Sequence, residues 1–331
     1  MRLSGKCLLA LCSIALIGLT ACYEAFPAVE GKFERTLSVS GPVDLDVATG
    51  SGRIEVRVGS SSVVQVHGFI RARDDWHANA QEKVRYLENN PPVEQSGNVI
   101  RIGRIENEDY RNNVSISYEI TVPTETRLHS RTGSGSQRID GIRGPANAGT
   151  GSGSINMSQI GGDASARTGS GSIELDMIAG RVDASTGSGS IRAERIGGGV
   201  KADTGSGSVM LELTQAERGG VRDVEVSTGS GRVEVMGVDG SLSVSTGSGS
   251  IVASGNPGGS WKLRASSGGV TVRLRPDAAF DLYAYSGSRR ITINHPLTVM
   301  GTVSPHEMQG KVRGGGNPIN IRTSSGSITI Q

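Results

Sequence analysis

The chain is short of three things on which folded proteins commonly rely: large aromatic side chains, cysteines placed to pair, and a surplus of charge of either sign. Phe, Trp and Tyr make up only 4% of 331 residues. That is too few for a core built on rings, so burial has to come from many small aliphatic contacts in a thin, elongated interior. The cysteines are Cys7, Cys12 and Cys22; all three stand near the N-terminus, so no disulfide can hold the remainder. The formal charge is +2. Without residues 1–21, which carry Arg2 and Lys6 and no acid, 32 basic residues face 32 acidic ones. A net charge of zero offers no overall basic field for nucleic acid, and nucleic-acid binding is excluded on that ground. His67, His77, His129, His295 and His306 are scattered without metal-ligand spacing. No cofactor motif stands out.

The N-terminus reads as a targeting segment. Arg2 and Lys6 precede an apolar run from Leu8 to Leu19 that is too short to span a bilayer comfortably. It ends in Leu19-Thr20-Ala21-Cys22, which resembles the lipobox of bacterial lipoproteins. That resemblance implies a signal peptide over 1–21, diacylation and palmitate at Cys22, membrane attachment through the lipid, and, with Tyr rather than Asp at position 23, delivery to the outer membrane of a diderm cell. Residues 22–30 form a tether.

Glycine is what the chain has in excess. Its 49 copies are about twice the usual ~7% share and follow no collagen triplet, which points to many tight turns. They gather in TGSGS motifs whose Thr recurs at Thr132, Thr150, Thr168, Thr186, Thr204, Thr228 and Thr246, at intervals of 18, 18, 18, 18, 24 and 18. Counted from each Thr, aliphatic residues fill the positions four and two before it and five, seven and ten after it, as in Val182, Ala184, Ile191, Ala193 and Ile196. Gly144, Gly162, Gly180, Gly198 and Gly240 mark a second corner. A fixed period with the same apolar set in every copy is the signature of stacked coils, none of which can fold alone.

The expected fold is all-β: a parallel β-solenoid, right-handed, single-stranded and β-helix-like, of roughly ten coils rising about 4.8 Å each, or a rod some 50 Å long. The repeats occupy 131–331 and follow an N-terminal β region over 31–130. In that region Trp76, Ala80, Val84 and Leu87 lie at helical spacing and predict one short N-terminal helix over about 75–90, covering an end of the stack. The six extra residues of the long interval read as a loop around Thr214 to Gly220, and residues 294–318 as a larger excursion or C-terminal cover.

Cys22, the strand pair around Thr49 to Val58, the Trp76 helix, the strand ending Thr121-Val122-Pro123 and the train of TGSGSI motifs together resemble the bacterial putative-adhesin family of β-strand-repeat lipoproteins, whose function is unassigned. The resemblance implies a surface-exposed solenoid with an adhesive or envelope role, and it carries over no catalytic or binding residue.

Three functions follow in order of fit. The first is a non-enzymatic, lipid-anchored envelope protein that binds a cell-surface glycan or another envelope component, or structures the envelope. The second is a carbohydrate-active enzyme on the same scaffold, for which Asp183 and Asp203 are the candidate carboxylate pair. The third is an envelope regulator docking a protein through the helix or through 294–318. The outward column three before each Thr mixes Asn147, Ser165, Asp183, Lys201, Glu225 and Ser243, so no column is expected to accumulate acids. The TGSGS loops contain no acid of the kind that calcium-binding solenoids use, so no metal is expected. Stacked Thr and Ser would form a hydroxyl ladder along one edge, either for a ligand or, as the preferred account, to satisfy backbone groups at the turns.

Lipid attachment is directly testable. Cys22→Ala is expected to abolish incorporation of labelled palmitate and to move the protein from the membrane to the soluble fraction; retention of both label and membrane association would refute the lipobox.

Overall fold

In the computed structural model, which describes residues 28–74, 79–214, 222–299 and 304–331, the five residues that end at each repeat Thr form one strand. In Val182–Thr186, Val182, Ala184 and Thr186 are buried while Asp183 and Ser185 stay half-exposed. Across the Gly-Ser-Gly corner a second strand, Ile191–Ile196, turns Ile191, Ala193 and Ile196 inward. Period-two alternation of small and β-branched residues suits a sheet with one buried face. A coil is thus two strands facing each other across a thin aliphatic layer.

The step of three residues between the last two inward positions has a local cause. Gly141, Gln159, Met177, Arg195 and Gly237 occupy the same place in their coils, and each has φ between 52° and 85°. One left-handed residue per coil breaks the alternation and returns the following Ile or Val to the interior. Three of these positions are not glycine and carry the strain of that region.

Coils stack in parallel and in register. Thr150 pairs with Thr168, Thr168 with Thr186, and Thr186 with Thr204. The long interval leaves this intact, since Thr204 still faces Thr228; most of its extra loop, 215–221, lies outside the described residues. The result is an all-β parallel solenoid with, among the described residues, two sheets: a front sheet of 15 strands that contains the Thr-terminated ones and a back sheet of 14. Among the described residues one helix, α1 (Ala80–Asn89), and a single 3-10 turn at Glu108–Tyr110 complete it. One hydrophobic cluster runs from Phe33 to Ile330, so no break in the core falls between 130 and 131. The repeat begins before 131: Val43–Thr49 lies against Thr126–Thr132, with Thr49 beside Thr132.

Sequence order and spatial order part company at both ends. The coil Val43–Thr49 with Ile54–Val58 is held between Thr126–Thr132 with Gln137–Asp140 on one side and Val99–Ile102 with Val114–Val122 on the other. The last coil, Asn317–Thr323 with Ile328–Ile330, is likewise inserted between Trp261–Ala265 with Val270–Leu274 and Phe280–Ser286 with Ile291–Ile293. Both terminal coils are clamped from two sides, so neither peels away without breaking two ladders. Counting them gives twelve stacked strand pairs among the described residues, about 50–55 Å at a strand spacing of about 4.8 Å.

Antiparallel strands close the ends. Val29–Ser38 pairs with Val63–Ala72 beyond the first back strand, and Glu307–Val312 with Leu297–Val299 beyond the last front strand. The excursion at 294–318 is therefore a cover on an exposed sheet edge; 300–303 lie outside the described residues. Asn79 caps α1, its Oδ1 accepting from the Gln81 and Glu82 amides at 2.9 and 3.4 Å. Ala80, Val84 and Leu87 are buried on the face that meets Val29–Ser38 and Val63–Ala72. Trp76 and His77 lie outside the described residues.

At the corners, backbones approach too closely for any side chain. A Cβ at Gly189 would stand 1.9 Å from the Gly171 carbonyl oxygen, and the equivalent positions Gly171 and Gly207 give 1.9 and 1.8 Å. Gly149 has nothing within 4 Å. Gly189→Ala is expected to destabilise by about 3 kcal/mol or more and Gly149→Ala to be neutral or slightly stabilising, as read by chemical denaturation. Equal midpoints for the two variants would refute the stacking geometry.

Candidate functional site

The Thr hydroxyls of the repeat are interior groups. Thr132, Thr150, Thr168, Thr186, Thr204, Thr228 and Thr246 are all buried. The Thr186 hydroxyl accepts from the Gly189 amide at 3.1 Å and donates to the Gly171 carbonyl of the preceding coil at 2.8 Å. The same pair of bonds forms at Thr168 and Thr204. These hydroxyls are fully engaged by backbone, so they present nothing to a ligand. What faces solvent at the corner is the Ser two residues on, exposed at 134, 152, 170, 188, 206, 230 and 248. A row of small exposed hydroxyls stays regular because the corner beneath it is regular.

Binding chemistry must therefore come from the outward columns of the two sheets. On the front sheet, Asp183 lies beside Lys201 and Ser185 beside Asp203. This brings Asp183 and Asp203 onto one face of adjacent strands, as diagonal neighbours about 7–8 Å apart along the sheet. They are not equivalent. Asp183 is ion-paired with Arg167. Partial burial pushes the Asp203 carboxyl above the usual range, against the lowering effect of Lys201 and with further raising from Glu225 and Asp183. Beside them, Arg127, His129, Asn147, Ser165 and Arg181 line a shallow open groove of ≈ 410 Å³. The Nε2 of His129 is buried there without a hydrogen-bond partner among the described residues.

The back sheet corrects the expectation that no column gathers acids. Asp140, Ser158, Asp176 and Glu194 pair in line down adjacent strands. Ser158 donates to Asp140 at 2.6 Å, Arg195 pairs with Asp176, and Arg192 with Glu194. Interleaved hydroxyl and guanidinium groups offset the repulsion, and among the described residues no group of three or more His, Cys, Asp or Glu is arranged to hold a metal ion. This column was legible in the sequence eight residues after each Thr; attention to the column before the Thr alone misses it.

The remaining candidates disperse. His67 sits 3.5 Å from Glu34, His295 packs edge-on to Phe280 at 5.8 Å, and His306 lies against the Arg289 carbonyl. Cys22 lies outside the described residues. The zero net charge of residues 22–331 also conceals a polarity. Residues 257–331 hold nine Lys and Arg against three Asp and Glu, a formal +6, and residues 22–256 carry the opposite −6.

Architecture and site together define an all-β solenoid with open outer faces. Residues 181–331 are similar to the family model Toastrack DUF4097, a family of unknown function. Two crystal structures are similar. One is described as a putative cell adhesion protein from Clostridium sporogenes, with 12% identity, covering 91% of this chain and 99% of that one at a TM-score of 0.19. The other is described as a putative adhesin from Bacteroides fragilis, with 10% identity, covering 91% and 97% at a TM-score of 0.36. At these TM-scores neither carries an argument about this chain. No curated protein matches it.

The pH dependence of Asp203 tests the front-face electrostatics. The folded carboxyl holds its proton more tightly than the unfolded one, so its contribution is most favourable below the unfolded pKa and is lost as pH rises through the folded value. Asp203→Asn is therefore expected to stabilise the protein at pH 7 relative to wild type, with the difference vanishing near pH 3, in paired denaturation curves. A destabilised variant at pH 7 would contradict this.

Proposed function

We propose that this chain is a non-enzymatic, lipid-anchored protein of the bacterial cell envelope that binds cell-surface material along its outer faces. One observation carries the reading. Apart from the exposed corner serines, every side chain that recurs from coil to coil, the Thr, the corner glycines and the five aliphatic columns, faces inward or serves the backbone, while the other outward positions differ from coil to coil. The repeat encodes a long rigid surface, and chemistry is written on it locally. Shallow grooves on such a surface suit many-contact binding better than enclosed catalysis.

A second reading, a carbohydrate-active enzyme, is favoured by Asp203, whose raised pKa beside the ion-paired Asp183 separates two carboxylates in the way general acid and base require. The two readings separate on one protein. The full-length chain in detergent is expected to be captured by isolated envelopes, to leave a panel of polysaccharides uncleaved, and to keep its envelope binding in Asp183→Asn/Asp203→Asn. Cleavage of any polysaccharide that is lost in this double variant would replace the first reading with the second.

A further inference from the structure

The basic end of the rod is organised. On the front sheet Arg264 lies directly beside Arg322 on the neighbouring parallel strand, and Arg322 beside Tyr285 on the next. Like charges in directly opposed positions cost stability. Several basic side chains elsewhere on the outer faces meet an acid: Arg167 with Asp183, Lys201 with Glu225 at 3.8 Å, Arg143 with Glu125 at 3.2 Å. Arg264 and Arg322 have no carboxylate partner among the described residues. Arg322 instead stacks over the Tyr283 ring, 5.2 Å from its centroid, which fixes the guanidinium and leaves its outer edge for an anion. Tyr285 is 42% exposed, one of the few large apolar side chains on the surface. These four side chains, with Ser245 and Ser266, line an open groove of ≈ 500 Å³.

We propose that this groove binds a carboxylate-bearing saccharide. Arg264 and Arg322 take the carboxylate, a paired-guanidinium arrangement that suits its planar oxygens. Tyr285 provides a flat apolar face for the sugar ring, and the serines meet its hydroxyls. The column beyond the arginines distinguishes this ligand from a nucleic acid. From Arg264 it continues through Ser245 and Ser227 to Asp203, so positive charge ends after two strands and hydroxyls, then an acid, follow. A polyanion with a phosphate at every step would need a basic track along its length and would here run onto Asp203, Glu225 and Asp183. A saccharide acidic at one residue and neutral in the next fits the sequence of side chains. The inference rests on the envelope-binding reading and names its site and ligand class.

The test uses the full-length chain in detergent on an array of oligosaccharides ending in uronic or sialic acid, beside the same compounds as methyl esters, and oligothymidine. Carboxylated members are expected to be retained. Methyl esterification, Arg264→Gln, Arg322→Gln or Tyr285→Ala should each weaken retention tenfold or more, and Arg192→Gln on the back sheet should leave it unchanged. Relief of like-charge repulsion should leave Arg264→Gln/Arg322→Gln at least as stable as wild type, which separates loss of binding from loss of fold. Retention indifferent to esterification or to both arginines, equal retention of oligothymidine, or no retained carboxylated member overturns the proposal. Should that double variant still be captured by isolated envelopes as wild type is, the site assignment fails and the envelope-binding reading survives; if wild type is not captured either, that reading fails too.

Discussion

The interaction on which the structure depends is the corner at each repeat Thr, where one hydroxyl joins two coils. Its oxygen accepts from an amide three residues on and its proton goes to a carbonyl one coil back, as at Thr186 with Gly189 and Gly171. Amides and carbonyls at a tight buried turn have few other partners, and leaving one unsatisfied costs about 1–3 kcal/mol. The hydroxyl meets both needs while allowing the backbones to approach so closely that only glycine fits beneath it. Thr and Gly are thus a single device. A bulkier residue at the Gly would separate the coils and break the Thr bond, and an apolar residue at the Thr would strand the groups that close stacking has dried.

That device explains why the composition can be so poor in aromatics. A core two strands thick leaves room for Ile, Val, Leu and Ala but seldom for a ring, and the exceptions fall toward the ends. Tyr118 and Phe280 are buried in the end coils, and Trp261 lies two coils in from the Phe280 end. Trp261 takes the column filled by Leu242 in the preceding coil, and its indole donates to the Gly240 carbonyl at 3.0 Å. The Tyr118 hydroxyl has no hydrogen-bond partner among the described residues, and burial drives its pKa far up. Tyr118 and Phe280 thus stand on the strands that adjoin the antiparallel covers.

The repeat itself was legible because periodicity reports burial directly. The apolar columns named from Val182, Ala184, Ile191, Ala193 and Ile196 are the ones that face inward. The order of the coils at the ends was not legible, and the reason is physical. Any TGSGS coil presents the same hydrogen-bonding edge as any other, so Thr49 can stack on Thr132, and Thr323 beside Ala265, without any mark in the sequence that the intervening chain has been passed over. The left-handed residue was visible only as an odd interval, because Gln159, Met177 and Arg195 are not residues that announce such a backbone. Gln137 is a third case. It stands in an aliphatic column yet is buried, satisfied by the Ser130 hydroxyl and the Gly149 carbonyl, a pairing across the coil that spacing alone does not reveal. The candidate site was legible in its parts and hidden in its assembly. Tyr285 and Arg322 are 37 residues apart in the chain and become neighbours only because the last coil is inserted inward.

That insertion has a consequence for where function can reside. In the middle of the rod every coil has a like neighbour on both sides, and outward charges there are largely met by opposite charges one strand away. At the C-terminal end, the inserted coil sets Arg322 between Arg264 and Tyr285, side chains from three separate stretches of sequence that a monotonic winding would not have ordered this way. The opposite end carries Val29–Ser38, the first described strand, on the outer edge of the back sheet. A chain tethered a few residues before that strand would hold its basic, aromatic end about 50 Å from the point of attachment. Length then becomes a functional property of the fold. Each added coil would extend reach by one strand spacing without altering either end, so a repeat whose own side chains, the corner serines apart, face inward still carries a varied outer surface.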